Sequence, residues 1–213
     1  EVLSVVITGE GSHFCAGGNL QRLLGNRQKP PEVQAQSIEG LHNWIETIRA
    51  FPKPVIAGVE GSCAGAGFSL ALACDFIVAA SNAVFAMAYS GVGLSPDGGG
   101  SWGLARSLPR ATVMQLLMLG ERANAERLLQ LGVVNAVVDA GEAAAQALAL
   151  AERLNARAPN ALASIKELVN EATDAALHTH LKSERDHFVR NLHHPNAGEG
   201  IAAFMDKRSA SYR

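Results

Sequence analysis

Between Phe51 and Arg110 the sequence holds three carboxylates, Glu60, Asp75 and Asp97. Asp97 stands apart: it is carried in Ser95-Pro-Asp-Gly-Gly-Gly100, where nothing bulky covers it. A carboxylate so placed suits a general base. A plainer role is open to it as well, as the N-cap of a helix carrying Trp102. Asp75 follows an apolar helix and leads a strand, so a cap or an ion pair accounts for it, and Glu60 ends a strand and can be structural. The second chemical feature is a lack of bulk. From Ser62 to Gly67 no residue is larger than Cys, so a ligand can approach the backbone closely. The first N–H groups of the helix that follows have no partner within it, and the helix dipole favours negative charge there. Such a turn can hold an anion, or an oxygen that becomes one during a reaction. It is equally compatible with a close-packed strand-to-helix turn. Phe14-Cys-Ala-Gly-Gly-Asn-Leu20 is a second turn of the same kind, which an ordinary βα loop would also explain.

Other constellations are weaker. Gly67-Phe-Ser69-Leu-Ala71 nearly matches a nucleophile elbow, but the later histidines all fall in a helical tail rather than a loop after a strand. A small, helix-facing Ser69 is the better reading. His178 and His180, and the pair His193 and His194, do not lie one helical turn apart, and read as solvated side chains rather than metal ligands. No phosphate-binding loop or dinucleotide fingerprint is present. Cys15 and Cys63 sit in the two turns as small fillers.

The elements that must position these residues follow from the pattern. Val2–Thr8 and Val55–Val59 read as buried strands, with Pro52 and Pro54 just before the second. Gly61–Gly67 is a turn, and an apolar helix starts near Phe68. A helix starts near Leu20, Gln28–Glu32 is a linker, and Val33–Ala50 shows apolar residues near a 3.6 period. Short strands are expected over Phe76–Ala80, Ala83–Met87 and Val133–Val138. Helices are expected from Trp102, over Arg110–Leu119, over Asn124–Leu131, and to Arg157 behind an Asp139/Glu142 capping box. Everything from Pro159 on is helical, with Asn196 and Glu199 placed to cap the last helix. The unit that repeats is strand, strand, helix.

With 213 residues, 48% of them hydrophobic and 18% charged, the chain suits one α/β domain with a sizeable core. A net charge of -2, without a basic run interleaved with aromatics, points away from nucleic acid. No apolar run reaches the ~18 residues of a membrane span. Three cysteines without metal-type spacing suit a reducing compartment. The chain opens directly on a strand, which suggests that an earlier segment is absent, so cytoplasmic placement is expected with an organelle left open.

Phe14-Cys-Ala-Gly-Gly-Asn-Leu20, Gly61-Ser-Cys-Ala-Gly-Ala-Gly-Phe-Ser-Leu-Ala-Leu-Ala-Cys-Asp75, Gly93-Leu-Ser-Pro-Asp-Gly-Gly-Gly-Ser-Trp102 and the tail Glu199-Gly-Ile-Ala-Ala-Phe-Met-Asp-Lys-Arg208 resemble the crotonase (enoyl-CoA hydratase/isomerase) superfamily. The resemblance spans essentially the whole chain. It implies an α/β fold, a crotonase-like spiral of ββα units with a helical C-terminal region: a core over 1–157, lacking its first strands, and a helical trimerisation region over 158–213. Homotrimers paired into hexamers are implied too. The substrate would be an acyl-CoA thioester from fatty-acid or aromatic-acid catabolism, with no cofactor beyond the coenzyme A of the substrate and no metal. Carried over by motif, the backbone N–H groups of Ala16 and Ala66 form an oxyanion hole for the thioester carbonyl. Phe14, Gly17, Asn19, Leu20 and Gly65 line the substrate, and Phe204 and Lys207 touch coenzyme A on a neighbouring subunit. Asn19 stands where the family usually has Asp. Ser69 and Tyr89 stand where hydratases carry their two glutamates, so ordinary hydration is not expected. Asp97 matches the single catalytic Asp of some isomerases, including the ring-epoxyphenylacetyl-CoA type. The expectation is therefore an isomerase. The alternatives are a 4-chlorobenzoyl-CoA-type dehalogenase, for which Trp102 is a hint, a family member with weak or no hydratase activity, and a non-catalytic acyl-CoA-binding protein.

Overall fold

The computed structural model describes residues 2–212. By contacts the chain forms two compact units. The larger spans Val6–Arg49 and Val55–Ala147; the other takes the segment ending at Val5, Ala50–Pro54 and the chain from Leu148 on.

In the larger unit the strand–strand–helix repeat is realised by two sheets. β1 (Val5–Thr8), β2 (Val55–Val59), β4 (Phe76–Ala80) and β7 (Ala136–Val138) form one sheet in the order β1-β2-β4-β7. β3 (Ser62–Ala64), β5 (Val84–Ala86) and β6 (Arg122–Asn124) form the other, in the order β3-β5-β6. Two repeats, β2-β3 and β4-β5, each add a strand to the first sheet, a short strand to the second, and then a helix, whereas β6 joins the second sheet antiparallel to β5 before β7 joins the first. β2 and β4 pair in parallel, Ile56 opposite Phe76, and β3 and β5 pair in parallel, Cys63 opposite Phe85. The earliest repeat is abbreviated: after β1, a single parallel bridge between Cys15 and Cys63 joins the second sheet.

Composition explains the layering. β2 is Val-Ile-Ala-Gly-Val and every residue is buried, as a parallel strand covered on both faces must be. A Cβ on Gly58 would come within 3.1 Å of the Ala143 carbonyl and 3.3 Å of Ala147 Cβ, so glycine lets a helix lie directly on the sheet. That helix is α7 (Ala143–Asn155). α3 (Ala66–Ala73) is apolar around its circumference and packs Phe68 on Phe85, ring centres 5.0 Å apart. The remaining helices here are α1 (Leu20–Asn26), α2 (Pro31–Ala50), α4 (Gly100–Ser107), α5 (Arg110–Met118) and α6 (Ala125–Gln130).

The other unit carries α8 (Pro159–Ala172), α9 (Leu177–Leu192) and α10 (Pro195–Met205). An amide network joins them: Asn160 donates to Asn191 Oδ1 at 2.8 Å, Asn191 to Ser164 Oγ at 2.9 Å, and Asn196 to Asn160 Oδ1 at 2.8 Å. No helix among the described residues is long and apolar enough to cross a membrane.

Several boundaries depart from the sequence expectation. β1 starts at Val5 because Val2 and Leu3 are exposed and have no buried face to hold them. Pro31 and Glu32 belong to α2 rather than to a linker, since proline at the first helical position loses no needed N–H. The turn after Gly61 contains β3, and α3 begins at Ala66, two residues early. β6 went unforeseen, being three residues with only Ala123 buried. α7 has no Asp139/Glu142 box. Its first N–H groups go to Glu60, which accepts from Ala143 at 2.9 Å and from Gly141 at 3.1 Å. α10 is capped by His194, whose Nδ1 accepts from the Asn196 N–H at 3.1 Å. Asn196 and Glu199 are engaged elsewhere, with Asn160 and Arg208. His180 and His194 are half-buried and not the solvated side chains expected, and His187 is buried.

Candidate functional site

Two backbone turns meet above the second sheet. In the first, Cys15 donates to the Ser62 carbonyl at 3.1 Å and accepts from the Ala64 N–H at 2.8 Å, which locks the strand entering the turn beside β3. Phe14 donates to the Glu60 carbonyl at 2.8 Å, and His13 Nδ1 accepts from the Ser62 N–H at 3.1 Å. In the second, Gly65 is held at φ 53°, ψ -124° as the N-cap of α3, a conformation open to glycine. A Cβ on Gly17 would lie 2.8 Å from the Ala64 carbonyl oxygen and 3.6 Å from the Ala66 nitrogen. The two turns are thus in contact, and a methyl group would force them apart. Gly67 is tighter still, its missing Cβ falling 2.2 Å from the Cys15 carbonyl oxygen. Among the described residues the Ala16 and Ala66 N–H groups find no protein acceptor. Neither amide is used by the hydrogen bonds that join the two turns.

Asp97 is tied to the same place through Ser69 and Tyr89. Its carbonyl accepts from Ser69 Oγ at 2.9 Å, and Ser69 sits on the first turn of α3, only 2% exposed. Its carboxylate Oδ1 accepts from the Tyr89 hydroxyl at 2.7 Å. That hydroxyl lies 3.5 Å from where a Gly65 Cβ would be, so one hydrogen bond separates the carboxylate from the turn that carries Ala66. Burial first, and then the bond to Asp97, push the Tyr89 phenol above its ordinary value, which keeps it a donor. Asp97 does not cap α4; Gly99, at φ 78°, is the N-cap, and the Gly100 N–H reaches the Asp97 carbonyl at 3.1 Å. α4 is fixed through Trp102, whose ring carries the Arg49 guanidinium at 4.5 Å and that of Arg106 at 3.9 Å. A cation over an indole contributes about 0.5–1 kcal/mol at an exposed site.

The other two central carboxylates are engaged by backbone. Glu60 holds the start of α7, and Asp75 Oδ2 accepts from the Val55 N–H at 2.8 Å while its own N–H donates to the Val55 carbonyl at 2.8 Å. Burial pushes the Cys63 thiol well up, with Cys15 and Cys74 adding to the shift, as suits a filler and not a nucleophile. Ser69 donates its hydroxyl to carbonyls from inside the core, so it is no exposed elbow nucleophile.

The remaining expected site residues divide. Phe14 is a core side chain at 7% exposure. Asn19 caps α1 by accepting from the Arg22 N–H at 3.0 Å, and Leu20 is exposed. Phe204 and Lys207 lie in the other unit. Phe204, on α10, is 86% exposed. Lys207 follows α10 at φ 56°, where the chain reverses with Lys207 donating to Phe204 and Arg208 to Ala203. The sequence reading makes Ser69 a small helix-facing residue and places it and Tyr89 where carboxylates are replaced, with no further role for either. Their use as hydrogen-bond donors to Asp97 had no signal in spacing, because the three meet only through the loop after β5 and the first turn of α3.

A family described as enoyl-CoA hydratase/isomerase matches residues 1–213. The chain is 37% identical over 209 residues to 1,2-epoxyphenylacetyl-CoA isomerase of Escherichia coli K12, covering 98% of this chain and 80% of the relative. It is 36% identical over 213 residues to carnitinyl-CoA dehydratase of Proteus mirabilis HI4320, with 98% and 80% covered. Among solved structures, an enoyl-CoA hydratase from Polaromonas sp. JS666 superposes with a TM-score of 0.99 at 72% identity, over 100% of this chain and 82% of that one. A Pseudomonas aeruginosa protein, DspI, superposes at 0.93 with 32% identity, over 100% and 80%.

Proposed function

Because the chain belongs to the enoyl-CoA hydratase/isomerase family, we propose that it is an acyl-CoA isomerase working through a thioester enolate with Asp97 as its one acid–base group. The observation that carries this is the division of the carboxylates: Glu60 and Asp75 are taken up by backbone N–H groups, while Asp97 stands beside two adjoining turns. The N–H groups of Ala16 and Ala66 hold the thioester oxygen as an oxyanion hole. Asp97 takes a proton from the α-carbon, the charge moves onto that oxygen, and the same proton returns to another carbon. The result is a shifted double bond or an opened ring. A single oxyanion donor contributes about 2.7–4 kcal/mol in the transition state, and a placed general base about 10²–10⁴ in rate. The isomerase at 37% identity supports the reading.

The dehydratase at 36% identity supports a second one, since elimination of water also begins with removal of an α-proton. The two part at the product, as only dehydration changes the mass. Asp97→Asn is expected to abolish isomerisation and α-proton exchange in deuterated water while acyl-CoA binding by calorimetry persists. Exchange at the wild-type rate in that variant would refute the assignment.

The proposal extends to assembly. The unit containing α8–α10 leaves Val169, Leu177, Phe188, Ile201, Phe204 and Met205 exposed, an apolar surface suited to further copies of the chain. A trimer or hexamer, formed through the helical C-terminal region over 158–213, would give Phe204 and Lys207 a neighbouring subunit's coenzyme A to contact. Light scattering that shows a monomer would refute this.

A further inference from the structure

We propose that Tyr89 is the positioning residue of Asp97, holding Oδ1 through its hydroxyl so that Oδ2 alone takes the substrate proton and keeps it for return. The inference rests on the isomerase reading and adds to it a residue and a stereochemical duty.

Asp97 is gripped at two points. Ser69 fixes its carbonyl at 2.9 Å and Tyr89 fixes Oδ1 at 2.7 Å, whereas Oδ2 takes no hydrogen bond among the described residues. Tyr89 is itself anchored. Its carbonyl accepts the Val92 N–H at 3.1 Å and the Leu94 N–H at 3.0 Å, which closes the short 3-10 turn Ser90–Val92, and its hydroxyl ties the two ends of the 89–97 loop together at Asp97. Its hydroxyl is in ordinary contact distance of the Gly65 Cβ position, so the base and the Ala66 turn are spaced by one phenol. A carboxylate with one oxygen held and the other open can rotate little. When Oδ2 accepts the α-proton, the C–H electron pair passes into the enolate. Those electrons then take the proton back from Oδ2 at the γ-carbon. No proton leaves Tyr89, and nothing is oxidised or reduced.

Rotation is what exposes a newly protonated carboxyl to water and lets its proton exchange. Fixing Oδ1 therefore has a readout that stability does not share: the fraction of product that carries the original substrate proton. The test uses the full chain, a 3-enoyl-CoA such as 3-hexenoyl-CoA, and deuterated water. In Tyr89→Phe, kcat is expected to fall about 10- to 100-fold with KM within about twofold, and deuterium at the γ-carbon to rise above the wild-type level. A separate measurement needs no substrate: the tyrosinate absorbance titration assigned to Tyr89 should move to lower pH in Asp97→Asn. Wild-type kcat in Tyr89→Phe, or a slowed variant with unchanged deuterium content, would overturn the role while leaving the isomerase reading intact. A wild-type protein that exchanges no α-proton from any acyl-CoA would overturn both.

Discussion

Gly17→Ala probes whether the two turns act together, and Gly11→Ala is its internal control. Both glycines have positive φ, +94° at Gly17 and +79° at Gly11, so each substitution imposes the same kind of backbone penalty, about 1–2 kcal/mol. For a chain of this length that corresponds to a fall in Tm of about 2–8 °C in Gly11→Ala, and at least as much in Gly17→Ala. The surroundings differ. A methyl at Gly11 meets nothing within 4 Å, whereas one at Gly17 would sit 2.8 Å from the Ala64 carbonyl oxygen and 3.6 Å from the Ala66 nitrogen. The contact at 2.8 Å is too short to persist, and its partner is backbone, so the turns must separate. Separation strains the Ala64–Cys15 hydrogen bond of 2.8 Å and carries the Ala16 and Ala66 N–H groups off a common oxygen. Losing one such donor lowers kcat about 10²–10³-fold, equivalent to about 2.7–4 kcal/mol. The assay is α-proton exchange of an acyl-CoA, followed by mass spectrometry beside thermal denaturation. Gly11→Ala should exchange near the wild-type rate, and Gly17→Ala should fall by those two to three orders. Equal exchange rates in the two variants would show that Ala16 and Ala66 do not share a substrate atom.

Lys207 occupies a left-handed position at the end of α10, where glycine is the unstrained choice. Lys207→Gly should raise Tm by a few degrees, in keeping with about 1 kcal/mol, and weaken acyl-CoA binding; stabilisation with unchanged affinity would remove the lysine from the coenzyme A contact. Glu60→Ala orphans the Gly141 and Ala143 N–H groups at the start of α7, and should cost about 1–3 kcal/mol in denaturant unfolding, with Glu60→Gln losing less. Hydrogen bonds from Arg208, and then from the Ser211 N–H, hold the Glu199 carboxyl down to about 2. Its contribution to tail anchoring is thus complete above the ordinary carboxylate range of about 4.3 and is lost as pH falls toward 2. The Ser211 amide shift should titrate with its midpoint near the lower of these values; a midpoint at the ordinary carboxylate value would refute the pairing.

Much of the fold could be read in advance where burial is continuous. β2 and β4 were found as Val55–Val59 and Phe76–Ala80 because a strand covered on both faces must be apolar at every position. Short elements were harder. β6 exposes two of its three residues, and β5 is three residues long, so neither carries enough period to mark its ends. Caps were misread for a related reason. The local pairs Asp139/Glu142 and Asn196/Glu199 have the right spacing, but the side chains that cap α7 and α10 are Glu60 and His194, Glu60 from far away in the chain.

Residue type and order alone determined the family, the two small-residue turns and the singling out of Asp97, because those depend on what is missing from a stretch: bulk, charge or a side chain. Which carboxylates are occupied was decided only by the folded chain. Asp75 meets Val55 across 20 residues, and Glu60 meets Ala143 across 83. The partnership of Tyr89, Ser69 and Asp97 was decided there too. A hydrogen bond has no periodicity to leave in a sequence; it exists where the loop after β5 and the first turn of a helix bring a phenol to the Asp97 carboxylate at 2.7 Å and a hydroxyl to the Asp97 carbonyl at 2.9 Å.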